Sequence, residues 1–322
     1  MALALAAMLT ELMTGYPRWL YLRIGHPVSW IGAAIAAADR HWNRAHNPPA
    51  ARLAAGLLLV VLLLVGSVAL GFALQVAAEA IGVAAFLVLA LAMGTLIAQR
   101  SLHEHVRAVA DALETDGLAA GRQALSQIVG RDPEALDEAG VVRAAIESLA
   151  ENFSDGVVAP VAWLAVAGPA SAIAYKAINT ADSMIGYRTE RHEHFGKAAA
   201  RLDDLLNLPV SRIAAGLIAL AAVSWPGMRA RSAVRAVRRD ARYHRSPNAG
   251  WPEAAMAGAL GIGLAGPRVY GGVMTTDKVM NAAGRRDLTA ADIRRALALY
   301  WRADALLIGL LALAGLIGWA LY

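Results

Sequence analysis

The sequence predicts an all-α, polytopic integral membrane protein with broken or re-entrant segments and cytoplasmic helical regions. Hydrophobic residues make up 58% of the 322 positions and charged residues 17%, and the mean hydropathy is +0.47. A soluble domain carries roughly 45–50% apolar and about 25% charged residues, so this composition is typical of a membrane protein. Strand signals and low-complexity linkers are nearly absent, and we therefore expect a single membrane domain over 1–322.

Six apolar segments are the candidate membrane segments. Three of them, 53–74, 81–98 and 305–321, approach the roughly 20 apolar residues that a bilayer crossing needs. The segment 2–13 is shorter, and no basic residue precedes it, so we interpret it as a retained first helix rather than a signal peptide. The last two, 157–175 and 213–225, contain or adjoin prolines.

The distribution of basic residues predicts the orientation. Of the 30 lysines and arginines, 14 lie in 226–304, whereas 75–80 holds none and contains Glu79. Because cytoplasmic loops carry the excess of basic residues, we expect 75–80 to be an extracytoplasmic turn. The helical insertion 99–156 and the basic region 226–304 are then both cytoplasmic.

The segments 157–175 and 213–225 leave two topologies open. The first contains Pro160 and the pair Gly168-Pro169, and the second has only 13 residues. In the first topology both segments cross the membrane, which places the basic residues of 176–212 on the extracytoplasmic side. In the second, both segments re-enter and return on the same side. We favour re-entrant or strongly broken segments, because all the polar clusters then share one compartment and broken helices occur where protein or a water-filled cavity satisfies the backbone.

The cytoplasmic regions have helical patterns. Apolar spacing predicts helices over 101–113 and 118–129, and the pair Asp132-Pro133 predicts the start of the next helix. The stretch 228–242 predicts a basic amphipathic helix. We interpret it as lying against anionic lipid, with phosphate binding as the alternative.

The chain has no cysteine, which excludes a thiol nucleophile, a thioester intermediate, a disulfide and a thiolate-bound metal. The net charge of +5 does not indicate nucleic acid, because the arginines flank apolar helices. Membrane orientation explains that placement, and an anionic substrate is compatible with it.

A first polar cluster spans 147–155 and abuts an apolar segment. On a helix Glu147 and Glu151 are i,i+4 neighbours, as are Glu151 and Asp155, while Ser148 and Asn152 share an adjoining face. Like charges at that spacing are unfavourable unless a cation or a raised pKa relieves them. Mg²⁺ bound by one or two carboxylates and substrate phosphates provides such a cation.

A second cluster covers 176–188, where Lys176, Asn179 and Ser183 align on one helix face. Asp182 and Arg188 lie alongside, so cations for phosphate and a carboxylate for metal occur together. Such groups beside membrane segments indicate a functional site more often than isolated surface charges do.

A third cluster covers 201–207, where Arg201 and Asp204 are three residues apart and Asp203 is four residues from Asn207. The adjacent carboxylates Asp203 and Asp204 point to different faces, so we expect at most one of them at a shared metal.

Two further patterns carry less information. The loop 246–253 is rich in turn residues and leads into a helix at Pro252 and Glu253. The two His-Glu-His triplets, at 103–105 and 192–194, place their histidines on different helix faces, so we do not expect them to bind metal.

The chain resembles the membrane-bound adenosylcobinamide-phosphate synthase family of cobalamin biosynthesis. The matching blocks are HPV at 26–28, IG at 31–32, ESLAENFSDGVV at 147–158, YKAINTADSMIGY at 175–187, FGKAAARLDDL at 195–205 and SPNAGWPEAAMAG at 246–258. They span nearly the whole chain in the family's order. One departure is Gly15-Tyr16-Pro17, where the family usually has Gly-Asp-Pro, which removes an acid near the N-terminus.

The resemblance implies an ATP-dependent ligase. It would form an amide between a propionate carboxylate of adenosylcobyric acid and (R)-1-amino-2-propanol or its O-phosphate. Mg²⁺ is the expected cofactor and ATP the co-substrate. We expect a multi-pass protein of the cell inner membrane whose active site faces the cytoplasm. Its expected partners are membrane lipids and other cobalamin-pathway enzymes, and we expect no nucleic acid.

Roles within the site are assigned by chemistry rather than by the resemblance. The predicted catalytic residues are Glu147, Glu151, Asn152, Asp155, Lys176 and Asp182. The predicted substrate-binding residues are His26, Asn179, Ser183, Arg188, Arg201, Asn248 and Glu253. The predicted metal ligands are Glu151, Asp155, Asp203 and Asp204.

Two other functions fit parts of the pattern. Asn179-x-x-Asp182 and Asp203-Asp204 also resemble the metal–diphosphate motifs of an intramembrane transferase acting on a lipid diphosphate. A transporter with broken helices is the other alternative, but it requires corresponding repeats, and the sequence has none that we can detect.

Overall fold

A computed structural model describes residues 1–130, 133–224, 226–266, 268–270, 273–275 and 277–321. The chain divides into two compact units. Unit 1 comprises Met1–Ala98, Ala159–Asn207 and Leu311–Tyr322, and unit 2 comprises Gln99–Val158 and Leu208–Leu310.

The described residues are predominantly helical, which confirms the predicted fold class. The helices are α1 Ala2–Thr14, α2 Arg18–Ile24, α3 Pro27–Trp42, α4 Pro49–Ile81, α5 Val83–Gly94, α6 Gln99–Thr115, α7 Leu118–Leu125, α8 Glu138–Asn152, α9 Ala159–Ile185, α10 Lys197–Ala221, α11 Ala230–Asp240, α12 Gly250–Leu260 and α13 Ala290–Leu321. A π-helical turn, Phe153–Val158, joins α8 to α9.

Five helical stretches among the described residues are long and apolar enough to cross a membrane. They are Pro49–Ile81, Val83–Thr115, Glu138–Ile185, Lys197–Ser224 and Ala290–Leu321. The apolar helix α1 is shorter. Each long stretch exceeds the roughly 20 residues that span a bilayer.

In unit 1, α4 packs against α9. A side chain at Gly71 would overlap the backbone of Ala170, so only glycine allows this close approach. A buried cluster that includes Ile35, Leu59, Ile178 and Phe195 joins α3, α4, α9 and the segment before α10. The segments that carry the second and third polar clusters are therefore held by a packed apolar core.

The predicted turn at 75–80 is wrong in position. Helix α4 continues through these residues to Ile81, and the chain breaks at Gly82, whose φ is 91°. Residues such as Gln75 and Ala78 have good helix propensity, and glycine adopts a positive φ without a steric penalty. The reversal therefore falls at the first glycine after the apolar run.

The prediction of broken segments holds for the first segment and is wrong for the second. Helix α9 is kinked at Ala167 and Gly168, with φ values of −133° and 75°, directly before Pro169. Helix α10 instead runs without a break through Pro209. A single proline removes one backbone hydrogen bond, which a long apolar helix can tolerate when no glycine adds a second disruption.

Unit 2 contains the predicted insertion and the predicted basic helix. Helix α6 covers the predicted 101–113, whereas α7 begins at the predicted residue but ends at Leu125, before the predicted end at 129. Helix α11 occupies most of the predicted 228–242 helix. The helix start predicted at Asp132-Pro133 is wrong: α8 begins at Glu138, where the Asp137 side chain accepts a hydrogen bond from the Gly140 N–H at 2.8 Å. Asp132 itself lies outside the described residues.

The described part of unit 2 also contains four short strands that the sequence did not predict. Strand β1 (Leu264–Ala265) pairs antiparallel with β4 (Val279–Met280), and β2 (Arg268–Tyr270) pairs with β3 (Val273–Thr275). Strands of two or three residues are too short to produce an alternating pattern.

Candidate functional site

In unit 1 a hydrogen-bonded chain joins α9 to α10. The Tyr175 hydroxyl donates to Asn207 Oδ1 at 2.9 Å, and Asn207 Nδ2 donates to Asp203 Oδ2 at 2.9 Å. From α9, Asn179 Nδ2 donates to Asp203 Oδ1 at 3.3 Å. The Asn179 amide is thus oriented by a carboxylate on the neighbouring helix.

Asp203 and Asp204 have different surroundings. Asp203 is 7% exposed and both of its carboxylate oxygens accept amide hydrogens. Asp204 is half-buried and lies within electrostatic reach of Arg201 and Arg188. This geometry favours Asp203 as a positioning residue, so that of the two predicted ligands Asp204 is the better placed for a metal.

His26 is oriented by its own helix. It caps the N-terminus of α3, and its Nδ1 accepts a hydrogen bond from the Val28 N–H at 3.3 Å, so the proton of the neutral ring lies on Nε2. Burial, and then the charge of Lys176, lower the pKa of His26 below its ordinary value, which favours the neutral ring. The Tyr16 ring packs edge-on against the His26 imidazole, with the two ring centroids 4.5 Å apart. The Tyr16 hydroxyl donates a hydrogen bond to the Gly25 carbonyl at 2.7 Å.

Three predicted residues lie at the end of α9 or just beyond it. The Ser183 hydroxyl donates to the Asn179 carbonyl at 2.9 Å and so bonds within its own helix. Asp182 is half-buried beside Gly186, and Arg188 is exposed just beyond the helix. A bound anion in this region meets Arg188 more readily than it meets Ser183.

In unit 2 the acidic residues of the first polar cluster, 147–155, differ in burial. Glu147 is 5% exposed, and its Oε1 accepts the Ala265 N–H at 2.7 Å. Asn152 donates to the Ser148 carbonyl at 2.9 Å. Glu151 and Asn152 are exposed and Asp155 is half-buried. Glu147 therefore supports the backbone, whereas Glu151 and Asp155 are accessible to a ligand.

The π-helical turn at Phe153–Val158 follows this cluster directly. It carries Asp155 and also Ser154, which is 1% exposed and whose hydroxyl has no hydrogen-bond partner among the described residues. Single π-helical turns within α-helices often occur at functional sites. The run Ser154-Asp155-Gly156 is compatible with a turn in the sequence, but residue spacing does not predict its π-helical form.

The loop before α12 forms a second polar group in unit 2. Asn248 Oδ1 accepts hydrogen bonds from Arg212 at 2.9 Å and from Ser211 at 3.3 Å, and the Arg212 guanidinium lies 4.3 Å from the Trp251 ring centroid. Glu253 is 4% exposed and faces His244 Nε2 at 3.7 Å. The sequence analysis missed Arg212, although a lone arginine in an apolar helix is itself a signal.

The predicted Mg²⁺ site remains a prediction. No group of three or more His, Asp or Glu side chains with metal-site geometry occurs among the described residues. Mg²⁺ requires less than that, because one or two carboxylates and substrate phosphates suffice. Glu151, Asp155 and Asp204 offer the hard oxygen donors that it prefers, and they are not fully buried.

The fold and these residues define a multi-pass helical membrane protein with acidic, amide and cationic groups clustered beside apolar helices. The chain belongs to the CobD/Cbib protein family, whose model matches residues 4–300.

Close relatives cover nearly the whole chain. The cobalamin biosynthesis protein CobD of Sinorhizobium fredii is 50% identical over 298 residues, which are 92% of this chain and 91% of the relative. The CobD proteins of Rhizobium meliloti and Rhodobacter capsulatus are each 48% identical, over 96% and 97% of this chain and 95% and 97% of their own lengths. No solved structure matches the chain.

Proposed function

We propose that the protein is an ATP-dependent ligase of cobalamin biosynthesis. It joins a propionate carboxylate of adenosylcobyric acid to the amine of (R)-1-amino-2-propanol or its O-phosphate. The observation that supports this most is full-length similarity to relatives named cobalamin biosynthesis proteins, at 48–50% identity. The residue chemistry of both units is compatible with it.

A carboxylate reacts with an amine only after activation. In the proposed reaction a carboxylate oxygen of the corrinoid attacks the γ-phosphorus of ATP, and ADP leaves. The amine nitrogen then attacks the acyl carbon, inorganic phosphate leaves, and the nitrogen loses a proton. The chain has no cysteine, so an enzyme thioester is excluded and an acyl phosphate is the simplest activated species.

The residues take complementary parts in this proposal. In unit 2, Glu151 and Asp155 would hold Mg²⁺, which neutralises charge on the phosphates. In unit 1, Asp204 is the candidate metal ligand. Lys176, Arg188 and Arg201 bind phosphate oxygens, since cationic donors stabilise the charge that develops there. Asn152, Asn179 and Asn248 orient substrate amides.

Two predicted roles change in this proposal. Glu147 and Asp203 act as positioning residues, because their oxygens accept hydrogen bonds from the Ala265 N–H and from two asparagine amides. Asp203 holds Asn179 of α9, and Glu147 holds the backbone of Ala265 in β1 against α8.

We further propose that the protein lies in the cell inner membrane with its site facing the cytoplasm. Its partners are membrane lipids and other enzymes of the pathway. Because the chain lacks cysteine, single cysteines placed at Arg122, Arg191 and Arg239 can be labelled cleanly with an impermeant thiol reagent. All three should be protected in intact cells and a cysteine at Gly82 labelled. Labelling at Arg191 alone among the first three would show that both uncertain segments cross.

The decisive experiment is a reconstitution. Purified protein with adenosylcobyric acid, aminopropanol phosphate, Mg²⁺ and ATP should yield an amidated corrinoid by mass, together with a phosphate-bearing product from ATP. Omission of either Mg²⁺ or ATP should abolish the product. An unchanged corrinoid mass with folded protein would refute the ligase proposal, and turnover of an isoprenoid diphosphate would support a transferase instead.

A further inference from the structure

Unit 2 contains a small pocket that none of the predicted site residues lines. Its lining includes Tyr243, His244, Arg245, Ala265, Asp277 and Lys278. Its volume is about 110 Å³, the space of a few water molecules. That space admits a phosphate group but excludes a nucleoside or a corrin ring.

The pocket carries an excess of positive charge. Lys278 Nζ lies 3.8 Å from the centroid of the Tyr243 ring, and the Arg242 guanidinium lies 4.9 Å from the same centroid. Arg245 pairs with Asp277 at 3.0 Å. Two cations therefore lie against the Tyr243 ring, and the lining itself carries Arg245 and Lys278 together with Asp277. Such a group of cations attracts anions.

The backbone beside the pocket is held in an unusual conformation. Ala265 and Asn281, the non-glycine residues with positive φ among those described, have φ values of 55° and 53°. Ala265 lines the pocket and Asn281 directly follows Met280, which also lines it. Asparagine adopts this conformation comparatively often, but alanine rarely does, and the strain that Ala265 carries is of the kind that concentrates at ligand sites.

A buried carboxylate holds each of these two residues. Glu147 Oε1 accepts the Ala265 N–H at 2.7 Å, and Asp240 Oδ2 accepts the Asn281 N–H at 2.7 Å. Asp240 is itself fixed by two hydrogen bonds from Arg239, both 2.7 Å. A solvated group of surface cations does not require such support, whereas a preformed binding pocket does.

We propose that this pocket binds the phosphate group of a small phosphate monoester, with Lys278 as the principal cation. The proposal rests on the proposed function only for the identity of the molecule that carries the phosphate, either an amino-alcohol phosphate or ATP. Lys278 and Arg245 contact the phosphate oxygens, and the Tyr243 ring holds the Lys278 ammonium group in place by a cation–π contact.

The chain provides a matched control, because it contains only three lysines, Lys176, Lys197 and Lys278. Lys197 is exposed at the start of α10 in unit 1 and has no assigned role. Lys278→Met removes the charge and keeps an apolar stem over Tyr243. Lys278→Arg keeps the charge, and Lys197→Met makes the same chemical change outside the pocket.

The experiment measures binding by calorimetry with full-length protein in phosphatidylcholine nanodiscs. The probes are inorganic phosphate, aminopropanol phosphate and magnesium-free ATP, with phosphatidic acid in the nanodisc as a separate arm. Lys278→Met should weaken binding of at least one soluble probe by about 10-fold or more, the effect of one charge-assisted contact. Lys278→Arg and Lys197→Met should stay within about threefold of the parent protein.

Equal binding by the parent and Lys278→Met, or an equal loss in Lys197→Met, would overturn the proposal. So would an effect of Lys278→Met confined to the phosphatidic acid arm, because the site would then be a lipid contact. Failure of the two proposals is distinguishable. Phosphate binding that depends on Lys278, without corrinoid product, would support the pocket proposal and refute the ligase proposal. Corrinoid product without such binding would support the ligase proposal and refute the pocket proposal.

Discussion

The two units treat carboxylates of similar sequence context in different ways. On α10, Asp203 is buried and accepts hydrogen bonds from two asparagines. At the end of α8, Asp155 lies half-buried on a π-helical turn beside exposed Glu151. Both aspartates belong to clusters that abut apolar helices, yet one fixes two helices together and the other lies where a ligand can reach it.

This difference shows how burial determines the role of a carboxylate. A buried carboxylate loses its hydrogen bonds to water and must replace them with hydrogen bonds from protein donors. Its oxygens are then occupied by bonds that maintain the fold. A partly exposed carboxylate presents a surface that a cation or substrate can approach. The comparison therefore predicts that substitutions at Asp155 and Asp203 affect different measured properties.

The largest expected effect is on activity at Asp155. Asp155→Asn keeps the size of the side chain and removes the charge that would hold Mg²⁺, a contribution of several kcal/mol. We expect the rate of amide formation to fall by roughly 100-fold or more with an unchanged unfolding temperature. Asp116→Asn, the same change at an exposed turn residue, is the control and should retain activity. A fully active Asp155→Asn would place the metal elsewhere.

The next effect tests the cation of unit 1. Lys176→Met removes a phosphate partner and keeps the apolar stem, and one charge-assisted contact is worth about 1.5–3 kcal/mol. We expect KM for ATP or the amine phosphate to rise roughly 10- to 150-fold, with kcat less affected. Lys197→Met should leave both constants near those of the parent. If Lys197→Met raised KM as much as Lys176→Met, the effect at Lys176 would reflect the change of net charge and not a phosphate contact.

Asp203 should affect stability more than chemistry. Asp203→Asn places an amide donor against the donors of Asn179 and Asn207, which leaves buried groups unpaired at a cost of about 1–3 kcal/mol. We expect a lower unfolding temperature in detergent and a partial loss of activity. Asp204→Asn should show the opposite pattern, with stability kept and activity reduced. If Asp203→Asn is stable and inactive, Asp203 is a metal ligand after all.

The contrast between Asp203 and Asp204 also shows where sequence reasoning stops. Apolar runs near 20 residues predict helices that are long and apolar enough to cross a membrane, because composition over that length is decisive. Two adjacent aspartates carry the same local signal, and only the position of α9 makes one of them buried. The π-helical turn at Phe153–Val158 and the break at Gly82 depend on local geometry that leaves no periodic pattern.

A smaller effect is expected at Asp39 in unit 1, which the sequence analysis did not select. Burial alone would raise the pKa of Asp39, but hydrogen bonds from Asn43 and Arg191, together with the charges of Arg191 and His192, outweigh it and hold the pKa below its ordinary value. A lowered folded-state pKa means that this stability is present above about pH 4 and is lost as the pH falls through the folded-state pKa.

Asp39→Asn should therefore reduce stability by about 1 kcal/mol at neutral pH, since Arg191 is half-exposed and screened. It should also flatten the fall in unfolding temperature between roughly pH 5 and 3. Thermal unfolding of both proteins across that range measures the effect. An equal pH slope in parent and variant would show that the Asp39–Arg191 pair does not contribute.

The smallest effect is expected at Glu104, in the first His-Glu-His triplet. Glu104 is an exposed carboxylate that pairs with Arg100 at 2.8 Å one helical turn away, with side-chain exposures of 53% and 44%. Exposed pairs at this spacing contribute about 0.3–0.5 kcal/mol, so Glu104→Gln should leave stability and amide formation close to those of the parent. Glu104 thus extends the comparison to a carboxylate that is neither buried nor part of an acidic cluster. An inactive Glu104→Gln beside an active Asp155→Asn would show that exposure within an acidic cluster does not identify the site, and that α6 carries the chemistry instead.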